Sequence, residues 1–319
     1  TAVQFYKKAL NYLNDTGDIE RMDFPLFKES NFPVQTLRIL RDLGIAYHQL
    51  AGLTQNDREE TRLDYLNKAL NCFTTGSDLA ENLRTGFVSE ESKVQFTTLQ
   101  QEIFKLVIRG AYDLHQKTHD PHWAEIAFYH SERNKAVSLF DKITETKSRI
   151  FSAIPDSLIR TESQCNSNLA YYREQLYDEM HRDEPDQEKI AEFKKMIFDN
   201  EQEINRLREY MEKNFTEYYQ MKYTRDPFTF SAFRKRLKQN EVLLAYCIDP
   251  PRETGTGSIY IFAVSNKDYR FIRQPFNENS IAYISKLHSI VSSNDFLTHT
   301  TRDFGAYCDA AFYLHNLLV

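Results

Sequence analysis

Apolar positions recur at three- and four-residue steps from the first residues to about Tyr223; after Asp226-Pro227 they gather into strand-length runs at Val242–Ile248 and Ser258–Val264 and alternate over Tyr269–Arg273. The first period belongs to one face of an α-helix, the last to a half-buried strand. Three segments carry a Lys-Ala-aliphatic signature late in such a helix: Tyr6-Lys7-Lys8-Ala9-Leu10, Tyr65-Leu66-Asn67-Lys68-Ala69-Leu70 and Arg133-Asn134-Lys135-Ala136-Val137. Two of them follow a helix in which a small residue stands beside an aromatic, Leu43-Gly44-Ile45-Ala46-Tyr47 and Gly110-Ala111-Tyr112. The pattern predicts helix–turn–helix units, with turns at Asn56–Glu60 and Thr118–His122, in which small residues admit close helix approach and the aromatic fills the space between neighbouring units.

From Pro155 to Tyr223 the apolar stripe narrows. Ile190, Phe193, Ile197, Asn200, Ile204, Leu207, Met211 and Tyr218 lie on one seam, and Cys165, Leu169, Tyr172, Leu176 and Glu179 on another. A break at His181–Asp186 then predicts two long helices folded back as an antiparallel hairpin, with Pro185 in the first turn of the second helix. Asn200 is a polar residue on that seam, either a register device or an exposed position. Beyond Pro227 the reading is a short helix over Phe228–Lys238, strands at Val242–Ile248, Ser258–Val264 and Tyr269–Arg273, and helices near Ser280–Ser292 and Phe304–Leu318. Pro250–Gly257 is the loop between the first two strands.

The Leu-Gly-x-x-Tyr and Lys-Ala positions resemble tetratricopeptide repeats (TPRs), although signatures spaced by roughly 60 residues or more exceed the ~34 of a standard unit. The later order of parts extends the resemblance. Glu132-Arg133-Asn134-Lys135-Ala136, the strand Glu241-Val242-Leu243-Leu244-Ala245-Tyr246, the strand Ile259-Tyr260-Ile261-Phe262-Ala263-Val264 and the helix Ala310-Ala311-Phe312-Tyr313-Leu314-His315-Asn316-Leu317-Leu318 together resemble bacterial TPR–CHAT proteins. Their CHAT domain is a caspase-like cysteine peptidase domain. The resemblance implies a mainly α chain: TPR-like repeats over 1–150, a coiled-coil-like hairpin over 151–226, and the first part of an α/β caspase-like domain over 227–319. It also implies a peptidase controlled by a protein or peptide on the concave TPR surface.

In CHAT domains the catalytic His and Cys lie beyond the Tyr-x-x-Leu-Leu helix, so no residue of this chain takes either role. The expectation is an inactive regulatory region. The chain opens within an amphipathic pattern without Met and closes on an apolar helix face, and so reads as a section of a longer protein. A non-catalytic TPR scaffold is the competing reading. A sensor feeding a histidine kinase is a third, and the strands after Val242 fit it poorly.

Composition narrows the classes further. Nine glycines and nine prolines in 319 residues disfavour turn-rich sandwiches, and 13% aromatic residues exclude a disordered chain. A net charge of -6 argues against nucleic-acid or anionic-membrane binding through bulk electrostatics. Cys72, Cys165, Cys247 and Cys308 form no C-x-x-C pair, the usage of a reducing cytoplasm.

Candidate chemistry is sparse, and no catalytic, cofactor or metal residue is assigned. Cys308 and His315 are seven residues apart, about 10 Å along a helix axis and too far for a hydrogen-bonded dyad; core packing is expected for Cys308 and burial for Cys247. His115, His119 and His122 have partial metal-ligand spacing, but Asp120-Pro121 marks a turn there. Gly255-Thr256-Gly257 lacks the Lys-Ser/Thr of a phosphate loop, and Arg234-Lys235-Arg236 reads as a solvated basic run.

Overall fold

In the computed structural model, residues 2–14, 33–55, 58–83, 90–145, 154–180, 182, 184–223, 230–250, 256–292 and 301–318 are described. The chain is mainly helical, with one three-stranded antiparallel sheet, and divides into two units, Thr1–Pro227 and Phe228–Val319.

The first unit holds eight helices among the described residues: α1 (Ala2–Asn14), α2 (Pro33–Leu53), α3 (Glu59–Leu83), α4 (Glu90–Thr118), α5 (Pro121–Glu145), α6 (Asp156–Met180), α7 (Gln187–Asn214) and α8 (Thr216–Tyr223). Successive helices from α2 to α5 pack antiparallel. Tyr47 of α2 stacks on Tyr65 of α3 at 6.2 Å, so this aromatic works within a pair rather than between pairs. An added Cβ at Gly44 of α2 would lie 2.4 Å from the Phe73 ring of α3, so the helices approach here as only glycine allows. α3 and α4 each bury a broad face, including Leu66, Ala69, Leu70, Phe73 and Leu79 on α3 and Ile103, Phe104, Val107, Ile108 and Ala111 on α4. A helix lying between two neighbours needs apolar residues on two sides, and both sequences supply them.

Loops are shorter than their sequences suggest. Thr118 ends α4 and Pro121 opens α5, leaving His119-Asp120 as the turn, with His119 in the left-handed region at φ 55°. Glu59 and Glu60 belong to the first turn of α3 rather than to a turn before it, while Asn56 and Asp57 lie outside the described residues.

α6 and α7 form the antiparallel hairpin on a single apolar seam. Cys165, Leu169 and Ile204 make one cluster with Ile197, and Ile154, Met211 and Tyr218 another. Two corrections apply here. Pro185 precedes the helix, because Asp186 is the N-cap and its side chain accepts from the amides of Glu188 and Lys189. The seam also does not run on unbroken to Tyr218: α7 stops at Phe215 (φ -137°, ψ 51°), and Tyr218 belongs to α8. Glu179 is buried because it accepts from the Asp186 amide at 3.1 Å and pairs with Arg182 at 3.1 Å, fastening the hairpin turn. Asn200 is half-buried and paired: Asn168 donates to its Oδ1 at 3.1 Å, and its own amide donates to the Met196 carbonyl at 2.7 Å.

The second unit holds α9 (Phe230–Arg236), β1 (Val242–Asp249), β2 (Gly257–Ser265), β3 (Tyr269–Phe276), α10 (Glu278–Ser292) and α11 (Thr301–Leu318). The sheet order is β1-β2-β3, with Tyr246 opposite Ile261 and Ile261 opposite Ile272. Gly257 is therefore a strand residue paired with Phe276, not part of a loop, and Pro251–Gly255 lie outside the described residues. One sheet face packs Ile259, Ile261 and Phe276 against Tyr246, Leu317 and Leu318, and the Tyr246 hydroxyl donates to the Leu318 carbonyl at 3.1 Å. The end of α11 is thereby fixed to the sheet. Arg234 of α9 donates to the carbonyls of Asn266 and Lys267 in the β2–β3 turn, so this member of the basic run is structural.

Candidate functional site

Helices α2 and α4 run in the same direction, since Arg41 and His48 of α2 meet Glu102 and Asp113 of α4 in that order. Arg41 Nη1 donates to Glu102 at 3.1 Å and its Nε to Asp42 at 2.8 Å, while His48 Nε2 lies 2.8 Å from Asp113 Oδ2. Burial works against the Arg41 charge, but Asp42 and Glu102 outweigh it and raise its pKa above the usual guanidinium value. All four side chains are 26–31% exposed, so the row is tied together and still open to solvent. Lys105 stands on the same stripe of α4, one turn beyond Glu102. Seven residues separate Arg41 from His48 and eleven separate Glu102 from Asp113, so the row extends ~10–16 Å along the axes. A half-exposed strip of both signs, on a rigid helical base, can exchange its internal partners for polar groups of a bound chain.

Behind it, α3 and α5 also run parallel and are tied by buried polar groups. Ser77 Oγ lies 3.1 Å from His130 Nδ1, and Arg133 Nε donates to Glu81 at 2.9 Å. Burial, followed by the nearby Arg133 charge, depresses the His130 pKa to about 4. The imidazole is thus neutral at ordinary pH, with the Phe104 ring centred 5.9 Å away. In the Glu-Arg-x-Lys-Ala signature, Arg133 reaches inward to Glu81 while Lys135 pairs with Glu132 at the surface at 2.6 Å.

No family model, curated protein or solved structure matches the chain. Its functional reading rests on its own residues.

The other sequence candidates do not converge on a site. His115 meets the Asp120 carbonyl at 3.0 Å, His119 is exposed, and the His122 ring lies 5.0 Å from Trp123, so the three imidazoles lie about the α4–α5 turn in separate settings. No group of three metal-ligating side chains occurs among the described residues. Cys247 is buried in β1. Cys308 corrects its expectation: it is exposed, because α11 buries the face carrying Ala310 and Leu314 and leaves Cys308 off that face. His315 is exposed as well, two turns further along α11. Among the described residues, no helix is long and apolar enough to cross a membrane.

The ties between parallel helices escaped sequence reasoning. Their signal was present, as charged or polar residues on the margin of each apolar stripe, but pairing them requires knowing which helices are neighbours.

Proposed function

We propose that this chain is the protein-interaction and regulatory region of a TPR–CHAT protein, binding a protein or peptide on its helical repeats and controlling a caspase-like cysteine endopeptidase. The observation that carries the reading is the polar row on α2 and α4. In a TPR-like stack the first helices of successive units line the concave surface, and here those helices are parallel and bear Arg41, His48, Glu102 and Asp113 half-exposed. The glycine contact of Gly44 with Phe73 supports the same assignment, since it sits in the Leu-Gly-x-x-Tyr segment that resembles the repeat. On this reading the hairpin α6–α7 relays occupancy to the CHAT domain, and the chain itself, in the cytoplasm, has no peptidase activity.

The test begins with the reading frame around the codons for these 319 residues. A His after a strand-like run, followed tens of residues later by a Cys after another, supports the peptidase. Loss of peptide cleavage in the Cys→Ala variant of the full-length protein then establishes it. A frame without that pair sinks the peptidase and leaves the second reading, a non-catalytic TPR scaffold, which the same polar row supports equally.

A further inference from the structure

A separate feature belongs to the second unit, on α10 and α11. Tyr283, Asp309, Phe312, Tyr313, Asn316 and Leu317 line an open cavity of about 430 Å³. Tyr283 and Tyr313 stack with centroids 4.2 Å apart and planes 21° from parallel. The Tyr313 hydroxyl lies 3.2 Å from Ser280 Oγ, and Ser280 is fully buried and donates its amide to Asn277 at 3.1 Å. The aromatic wall is therefore held from behind. Phe312, by contrast, is 69% exposed, a large ring left in water at the mouth. The Asp309 carboxylate and the Asn316 amide make no ion pair or side-chain hydrogen bond among the described residues. They stand seven residues apart on one helix, ~10 Å along its axis, and bracket the rings of Phe312 and Tyr313.

We infer that this cavity binds an arginine side chain presented by a peptide segment of a partner protein. Charge and shape both select that occupant. An anion beside aromatic faces attracts a cation, because the faces carry the negative part of the ring quadrupole. A planar guanidinium stacks on such a face and still directs N–H donors in its plane to a carboxylate, which an ammonium cannot do. Its aliphatic stem lies along Phe312 and Leu317, removing exposed apolar surface from water. Asn316 is left to hydrogen bond the peptide backbone. The arrangement involves neither α2 nor α4, so it stands or falls independently of the polar row.

The experiment is an amide NMR titration of the full 319-residue chain with acetyl-arginine amide, repeated with the isosteric but neutral citrulline derivative and with the norleucine derivative. The expected result is a set of shifts confined to Tyr283, Asp309, Phe312, Tyr313 and Asn316, with affinity in the range of about 1–10 mM for one side chain. Citrulline should bind about five-fold more weakly or not at all, and D309N should weaken arginine by about three- to five-fold without altering the spectrum elsewhere. F312A should weaken arginine and citrulline alike. Shifts scattered over the acidic surface, or none at 20-fold excess, would overturn the proposal. Equal binding of norleucine would mark a merely apolar groove and overturn it too. Concentration-dependent self-association abolished by D309N would give the cavity to a second copy of the chain, again overturning it.

Discussion

Gly44→Ala tests the close packing of α2 on α3 at one atom's resolution. The new methyl would meet the Phe73 ring at 2.4, 2.7 and 2.9 Å, closer than carbon atoms approach. Phe73 is 1% exposed, so it cannot swing out into solvent; its opposite edge faces Gly110 of α4, which carries no Cβ, and any retreat is toward that helix. Forcing extra volume into a packed core costs about 1–3 kcal/mol, and a 2.4 Å approach to a buried ring belongs in the upper half of that range. Against this, alanine is favoured over glycine inside a helix by about 1 kcal/mol. The expected net loss is about 1–2 kcal/mol, a fall in melting temperature of about 2–8 °C for a unit of this size. Thermal unfolding followed by Trp123 fluorescence reports it cleanly, because Trp123 is the single tryptophan and sits in α5 of the same unit. Gly110→Ala is the matched control, since its methyl would make only ordinary contacts at 3.6–3.8 Å and should stabilise by up to about 1 kcal/mol. A Gly44→Ala protein that melts at or above the parent temperature, or below which Gly110→Ala falls, would refute the reasoning.

Further expectations follow from the polar groups and thiols. His130 has its folded pKa lowered to about 4, so the unfolded chain takes up a proton first as pH falls. Stability from this group should be full above pH ~6.5, decline by about 3 kcal/mol down to pH ~4, and then level off; urea titrations at pH 7, 6 and 5 should show this slope in the parent and its loss in His130→Gln. Arg133→Leu leaves Glu81 buried without its cation and should cost about 3–5 kcal/mol, whereas the double replacement Glu81→Leu with Arg133→Leu should recover much of it in denaturant midpoints. An additive double mutant would contradict the pairing. Asn200→Leu should cost about 1 kcal/mol by stranding the Asn168 amide, and Asn168→Leu with Asn200→Leu should restore stability, read by the same titration. Of the four thiols, Cys308 alone should react rapidly with an aromatic disulfide reagent in the native protein, and Cys308→Ser should abolish that phase; Cys72, Cys165 and Cys247 are buried, and burial also raises the thiol pKa of Cys72 and Cys165.

Elements were legible where one force dominated. The 3.6-residue period of α2–α5, the break before α7 and the apolar runs of β1 and β2 each reflect burial, on two sides in the case of α3, α4 and β2, and burial is written directly in residue type. What failed was finer. Phe215, at φ -137° and ψ 51°, interrupts the helix between α7 and α8 although nothing in its residue type forbids one, and Met211 and Tyr218 on either side still share a cluster with Ile154. Pro185 lies two residues before the first helical residue, Gln187, because Asp186, with a side chain able to accept two amides, is the better cap. Gly257 reads as loop by residue type, since glycine weakens a strand, yet it opens β2 and pairs with Phe276.

The local groupings set aside on sequence and the ties found in the structure differ in one respect. Sequence spacing drew attention to Cys308 with His315 and to the three histidines near Pro121, groupings that are close along the chain. The groups actually brought together are far apart in it: Arg41 with Glu102, His48 with Asp113, Ser77 with His130, Glu81 with Arg133. Each of these joins helices of like direction two elements apart. Antiparallel neighbours in α2–α5 are held by tightly packed apolar surface, with Lys117 of α4 also pairing with Glu59 of α3 at 3.2 Å. Hydrogen-bonded pairs between alternate helices add a directional constraint that apolar contact lacks. The polar ties therefore help to set how α2 lies on α4 and α3 on α5, and the row on α2 and α4 is a half-exposed brace. If that row is the ligand surface proposed above, a ligand that competes for Arg41 or Asp113 must loosen the brace between α2 and α4 as it binds.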